Sequence, residues 1–197
     1  MIQGGIEAFS GKRILLLQGP VGPFFSLFAT DLRNVGAEVY KVNFNAGDWL
    51  FYPNGAVNYR GSMEEWPAEI ERLLTSLDID VVFLFGDCRP IHRMAHEVVR
   101  RLGIEIGVFE EGYIRPNFVT LERFGVNGYS LLPQKPECYI RNNFRKVPKE
   151  KQVGKTYWAM AWWGFLYFTA GGLGKFFFPR YICLLYTSPS PRDMVDY

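Results

Sequence analysis

Hydrophobic positions along this chain alternate between two periods. Residues 13–18 form a short apolar run (R-I-L-L-L-Q) that reads as a first strand, and Gly19, Pro20, Gly22 and Pro23 break it. Pro23 suits the first turn of a helix. Phe24, Leu27, Phe28, Leu32 and Val35 then recur at helical spacing up to Gly36, a good C-terminal stop. Residues 38–44 alternate as a second strand, and residues 45–62 read as a long polar and aromatic loop. A second helix is predicted over 67–77, with Ile70, Leu73, Leu74 and Leu77 inward. A third strand follows over 80–85, a third helix over 90–102 closed by Gly103, and a fourth strand over 104–109. Strands alternating with helices imply an α/β fold, a Rossmann-like parallel sheet flanked by helices. Residues 118–132 hold further short elements. This organises 1–132 as one domain and 133–156, polar and rich in Lys and Arg, as a linker.

Two later stretches break that rhythm. Residues 157–182 form an apolar, aromatic segment with Trp158, Trp162, Trp163, Phe165, Tyr167 and Phe168. A spanning helix needs ~20 apolar residues. The apolar run is slightly short for that and ends in Gly171 and Gly172, within a segment expected to be helical over 157–182. Its Trp and Tyr content suits a membrane interface, and burial against a further domain explains it equally. Residues 183–193 (C-L-L-Y-T-S-P-S-P-R-D) match a translation of a transposase sequencing adapter. Residues 183–197 are therefore expected to be an artefact, with the natural protein continuing past Ile182.

Composition narrows the function classes. Of 197 residues, 48% are hydrophobic and 21% charged, enough to bury a core, and the net charge of +2 gives no reason to expect nucleic acid. No apolar leader precedes Gly11, and three cysteines without metal spacing fit a reducing cytoplasm.

Candidate chemistry gathers where strands end, which is where open α/β sheets bind ligands. After the first strand, Gln18, Gly19 and Gly22 form a turn that lines a substrate or is simply tight; it lacks the Walker and G-x-G-x-x-G patterns. After the second, Asn43, Asn45 and Asp48 can bond sugar hydroxyls or serve Asx turns. With Trp49, Phe51, Tyr52, Tyr59 and Arg60 they form a carbohydrate or lipid-headgroup platform, or a loop packed on its own aromatics. After the third come Asp87, Arg89 and His92. His92 and His96 share a helix face, but no third ligand accompanies them and no metal is expected; His92 is the better functional candidate. The fourth strand ends in Glu110 and Glu111, then Gly112 and Arg115. Adjacent carboxylates need not point the same way. One can hold Arg115 or a backbone amide while the other faces a cleft as general base or nucleophile. Arg115 can meet an anionic substrate through a bidentate contact.

Four of these segments, L-L-L-Q-G-P-V-G-P-F-F (15–25), K-V-N-F-N-A-G-D (41–48), F-G-D-C-R-P-I-H (85–92) and F-E-E-G-Y-I-R-P (109–116), fall in order over most of residues 13–130. Together they resemble the capsular polysaccharide biosynthesis/export family of Gram-negative bacteria, specifically its KpsS/LipB-like members. The resemblance implies a β-Kdo glycosyltransferase that moves Kdo from CMP-Kdo, its donor substrate, to a phosphatidylglycerol-type lipid acceptor, building the linker of the capsule. It implies no bound cofactor, and a place on the cytoplasmic face of the inner membrane, beside other capsule assembly proteins. It also implies that this chain is the N-terminal, acceptor-side half of a GT-B-like enzyme, inactive without the donor half. By motif position Glu111 is the first catalytic candidate and Glu110 the second. Two alternatives remain at this stage. One is a non-catalytic export or assembly factor that binds lipid-linked polysaccharide. The other is an α/β nucleotide- or flavin-binding domain, against which the missing glycine fingerprint counts.

Overall fold

The computed structural model describes residues 5–112, 118–133, 135, 137 and 156–177. Arg115, nearly all of 133–156 and the whole of 183–197 lie outside them. Six strands make one sheet: β1 (Arg13–Leu16), β2 (Glu38–Asn43), β3 (Ala56–Asn58), β4 (Val81–Phe85), β5 (Glu105–Glu111) and β6 (Val119–Arg123), in the order β3-β2-β1-β4-β5-β6. All neighbours are parallel except β5 and β6, which pair antiparallel. This is the Rossmann-like α/β arrangement expected, with its change of winding direction between β1 and β4.

The strands read as nearly continuous apolar runs because helices cover both faces. On one face, Leu15, Val42, Phe44, Leu84 and Val108 pack against α3 (Trp66–Ser76) and α4 (Pro90–Arg101). On the other, Ile14, Leu16, Phe83 and Phe109 pack against α1 (Phe24–Asn34). Phe24 and Phe28 both meet Phe109 edge-on, at 5.3 and 5.2 Å, a favoured aromatic geometry.

Two expectations need correction. Residues 45–62 are not all loop. They hold a short helix α2 (Ala46–Phe51) and the edge strand β3. Asn45 starts α2 by accepting the Asp48 amide at 2.9 Å, and β3 gains its order from β2 alongside. Strand β5 does not stop at Phe109. It carries both glutamates, because Glu110 and Glu111 pair with Thr120 and Val119 of β6. The aromatic segment folds as the expected helix. Helix α5 (Tyr157–Phe177) continues through both glycines, held further along by its contact with α2: a Cβ on Gly174 would come within 2.5 Å of the Ala46 Cβ. Among the described residues no helix is long and apolar enough to cross a membrane.

Candidate functional site

The change of winding direction brings the ends of β1 and β4 together, and their polar residues meet there. Arg89, on the extended residue before α4, donates through Nη1 to Gln18 Oε1 at 2.7 Å and to the Gly19 carbonyl at 3.1 Å. Burial lowers the Arg89 pKa, and the nearby Tyr167, Asp48 and Glu110 oppose that shift. Gln18 Nε2 reaches the Asp48 carboxyl oxygens at 3.3 and 3.2 Å. Asp48 also accepts the Phe44 amide at 2.9 Å. Gln18, Asn45 and Asp48 are all buried, so these contacts are made away from water, where leaving one unmade is costly.

A residue from far along the chain closes the cluster. The Tyr167 hydroxyl donates to Asp48 Oδ1 at 2.9 Å and accepts from Asn45 Nδ2 at 2.9 Å and from Gln18 Nε2 at 3.2 Å. Its pKa is raised, first by burial and then by Asp48. Gly47 makes room for the ring, since a Cβ there would sit 2.7 Å from Tyr167 Cδ2. Gly22, at φ +106°, turns beneath Trp163, whose ring a Cβ would meet at 3.0 Å. Phe51 lies nearly parallel to the Tyr167 ring at 6.4 Å. Gly19 leaves space for Phe25.

The other candidates divide. Asn43 is fully buried and ties β2 to its surroundings, donating to the Tyr52 carbonyl at 2.9 Å and to Asn58 Oδ1 at 3.1 Å. The aromatic platform splits as well. Tyr52 and Tyr59 are buried, and Tyr59 packs on Trp66, while Trp49 stays exposed. Asp87 accepts the Val126 amide at 2.9 Å and edges a separate cavity of ≈ 570 Å³ that Arg93, His96, Arg100 and Tyr129 also line. Lys41, to which the sequence pattern assigned no role, is buried behind the cluster. Its Nζ meets the Val42 carbonyl, and burial brings its pKa down to about 8 against the pull of Asp48.

His92 is turned into the core. Its Nδ1 lies 2.5 Å from the Gly86 carbonyl and its side chain is wholly buried. Burial, reinforced by Arg89 and opposed by the Gly86 bond, lowers its pKa to about 3. The unfolded chain therefore binds a proton between about pH 6.5 and 3 that the folded chain refuses. His92 favours folding fully above that window, and its contribution falls as the pH drops through it. At pH 4.5 the chain is expected to lose about 2–3 kcal/mol through this residue. Urea midpoints at pH 7 and 4.5 check this, and His92→Gln should show a shallower fall than wild type.

The two glutamates occupy opposite faces of β5, as neighbours in a strand must. Glu110 is half-buried and follows Val108 on the α4 face. It stands beside Gly86, where a Cβ would lie 4.0 Å from Glu110 Oε2, and its charge acts on Arg89 and Cys88. Its Oε1 accepts the Glu111 amide at 2.9 Å. Glu111 is exposed at the last position of the strand. Gly112 follows because nothing larger fits: a Cβ there would lie 2.0 Å from the Phe118 carbonyl oxygen. Among the described residues no three His, Cys, Asp or Glu side chains gather as metal ligands do.

Fold and site together define a Rossmann-like α/β domain with a charged, hydrogen-bonded crevice at the carboxyl ends of its strands. The chain belongs to the capsule polysaccharide biosynthesis protein family, whose profile matches residues 80–185, just over half of the chain. It is 37% identical over 181 residues to the capsule polysaccharide export protein KpsS of Escherichia coli, covering 87% of this chain and 44% of that protein. It is 38% identical over 150 residues to the capsule polysaccharide modification protein LipB of Neisseria meningitidis serogroups A and B, covering 75% of this chain and 36% of LipB. The chain thus spans less than half the length of these curated relatives.

Proposed function

We propose that the whole protein is a capsule glycosyltransferase that moves Kdo from CMP-Kdo to a phosphatidylglycerol-type lipid. In this reading the chain forms the acceptor-side half of a GT-B-like enzyme. The donor CMP-Kdo is held largely by the half that the longer relatives also contain. The observation that carries the reading is the convergence of Gln18, Asp48 and Arg89 at the switch point, with two carboxylates on the neighbouring strand β5. Buried donors and acceptors in fixed positions suit a polyhydroxyl substrate. An exposed glutamate at a strand end suits a group that must reach an anomeric carbon or an acceptor proton. Glu111 fills that role, as base or as nucleophile, while Glu110 anchors the strand end and sets the charge around Arg89. The exposed aromatic side of α5, including Trp158 and Trp162, faces the inner membrane surface where a lipid acceptor lies.

Transfer is tested with full-length protein, CMP-Kdo and phosphatidylglycerol in detergent, reading the lipid product by mass spectrometry. A lipid heavier by one Kdo residue, formed with release of CMP, is the expected result. The name of the Escherichia coli relative, an export protein, favours a second reading: a non-catalytic assembly factor that binds lipid-linked polysaccharide. Tight binding of that polymer with no transfer would establish the second reading over the first.

A further inference from the structure

The environment of the Tyr167 hydroxyl is unusual for a tyrosine on an aromatic helix. A hydroxyl has one proton to give and two lone pairs to fill. Here Asp48 takes the proton, and Asn45 and Gln18 fill the lone pairs. Those three partners come from two separate strand ends and are all buried. Arg89 in turn fixes Gln18 so that its amide nitrogen points inward. The cradle is therefore complete for one alcohol group, and α5 supplies it.

The rest of α5 carries most of its large rings on the outside. Trp158 is 78% exposed, Trp162 58%, Phe165 59% and Phe176 85%. The helix turns one polar atom and a narrow seam of rings inward and leaves large rings in water. A lipid surface would take those rings favourably, and the seam itself rests on glycines, Gly22, Gly47 and Gly174, which let the helix lie close.

We propose that Gln18, Asn45, Asp48 and Arg89 form an alcohol-binding subsite that Tyr167 occupies as a built-in stand-in, and that a lipid-headgroup hydroxyl replaces it when α5 moves onto a bilayer. The choice of a lipid alcohol rests on the transferase reading above. The lid and the subsite rest on the geometry alone. Closure of α5 by the Tyr167 bonds lowers apparent affinity for a bilayer by the fraction of molecules held shut.

Vesicle co-sedimentation of the 197-residue chain tests both parts, using phosphatidylcholine vesicles with equal amounts of phosphatidylglycerol or phosphatidylmethanol. These anionic lipids carry the same charge, but only the first has headgroup hydroxyls. Tyr167→Phe keeps the ring and loses the bonds that hold the helix shut, so it should bind phosphatidylmethanol vesicles about tenfold more tightly than wild type. Wild type should prefer phosphatidylglycerol over phosphatidylmethanol by about three- to tenfold. Asn45→Ser should abolish that preference, since serine still caps α2 but its hydroxyl is too short to reach where the Asn45 Nδ2 donates. Equal binding of phosphatidylmethanol by wild type and Tyr167→Phe would show that the hydroxyl does not hold a lid. No preference for phosphatidylglycerol would show that the cradle takes no headgroup alcohol. Neither measurement uses CMP-Kdo, so a clear preference in this chain, together with no transfer by the full-length protein, would sink the transferase reading and leave the subsite standing.

Discussion

Glu111→Gln in the full-length protein is expected to lower Kdo transfer by about a hundredfold or more, the range for removal of a positioned acid–base group. The loss should fall on turnover, with lipid binding retained, because Glu111 stands exposed at the end of β5 and the bonds between Gln18 and Asp48 are made without it. Glu110→Gln should behave differently. Glutamine keeps an oxygen that can accept the Glu111 amide, a bond of 2.9 Å in the native strand. The substitution mainly removes charge near Arg89 and Cys88. Transfer is expected to fall by less than about tenfold, with the change carried largely by KM. Measuring kcat and KM for both variants against CMP-Kdo separates the roles. If Glu110→Gln is the inactive one and Glu111→Gln retains transfer, the assignments exchange. If both variants match wild type, neither carboxylate is catalytic. Their placement on opposite faces of one strand makes the comparison sharp, since one cleft cannot receive both side chains directly.

The alternation of strands and helices was legible because a sheet covered on both faces writes its strands as apolar runs, as residues 14–17 and 81–84 do. Amphipathic runs revealed α1, α3 and α4 in the same way, the first and last of them closed by Gly36 and Gly103. The elements between Asn45 and Ser62 escaped for a physical reason. A six-residue helix and a three-residue strand are shorter than the periods that would announce them. Their order comes from partners elsewhere, β2 for one and α5 for the other. The meeting of Gln18, Asp48 and Arg89 followed from the rule that strand ends carry the chemistry. Tyr167 did not, because it lies 119 residues from Asp48 in a segment whose apolar character masks one hydroxyl. The hint was present only as spacing. Trp163, Tyr167 and Gly174 recur as one helical seam, and that seam is evident once its partner glycines at 22 and 47 are known. His92 shows the opposite case. Its position at the start of a helix after a strand suggested a ligand, but the first turn of α4 faces the core there, so the ring pairs with a backbone carbonyl instead.

Trp66→Ala is expected to be the most damaging single change to stability, at about 3–5 kcal/mol. The side chain is fully buried, meeting Phe44 edge-on at 4.9 Å and Tyr59 at 4.9 Å. Its Nε1 donates to the Ile91 carbonyl at 2.9 Å, so truncation leaves both a cavity and a buried acceptor without its donor. Domains of this size are stable by about 5–15 kcal/mol, and such a loss brings the variant close to unfolding at body temperature. Trp66→Phe keeps most of the volume and loses the hydrogen bond, for an expected cost of about 1–3 kcal/mol. Urea midpoints of the three proteins give the order directly. A cost for Trp66→Ala below that of Trp66→Phe would contradict the tight packing of this corner. The consequence reaches the site because Trp66 braces two of its supports at once. Phe44 follows β2 directly before Asn45, and Ile91 stands two residues after Arg89 in the first turn of α4. Loosening that corner moves Asp48 and Arg89 relative to each other. Trp66→Phe should therefore weaken the Gln18 bridge between them and make α5 easier to release, even where the domain remains folded.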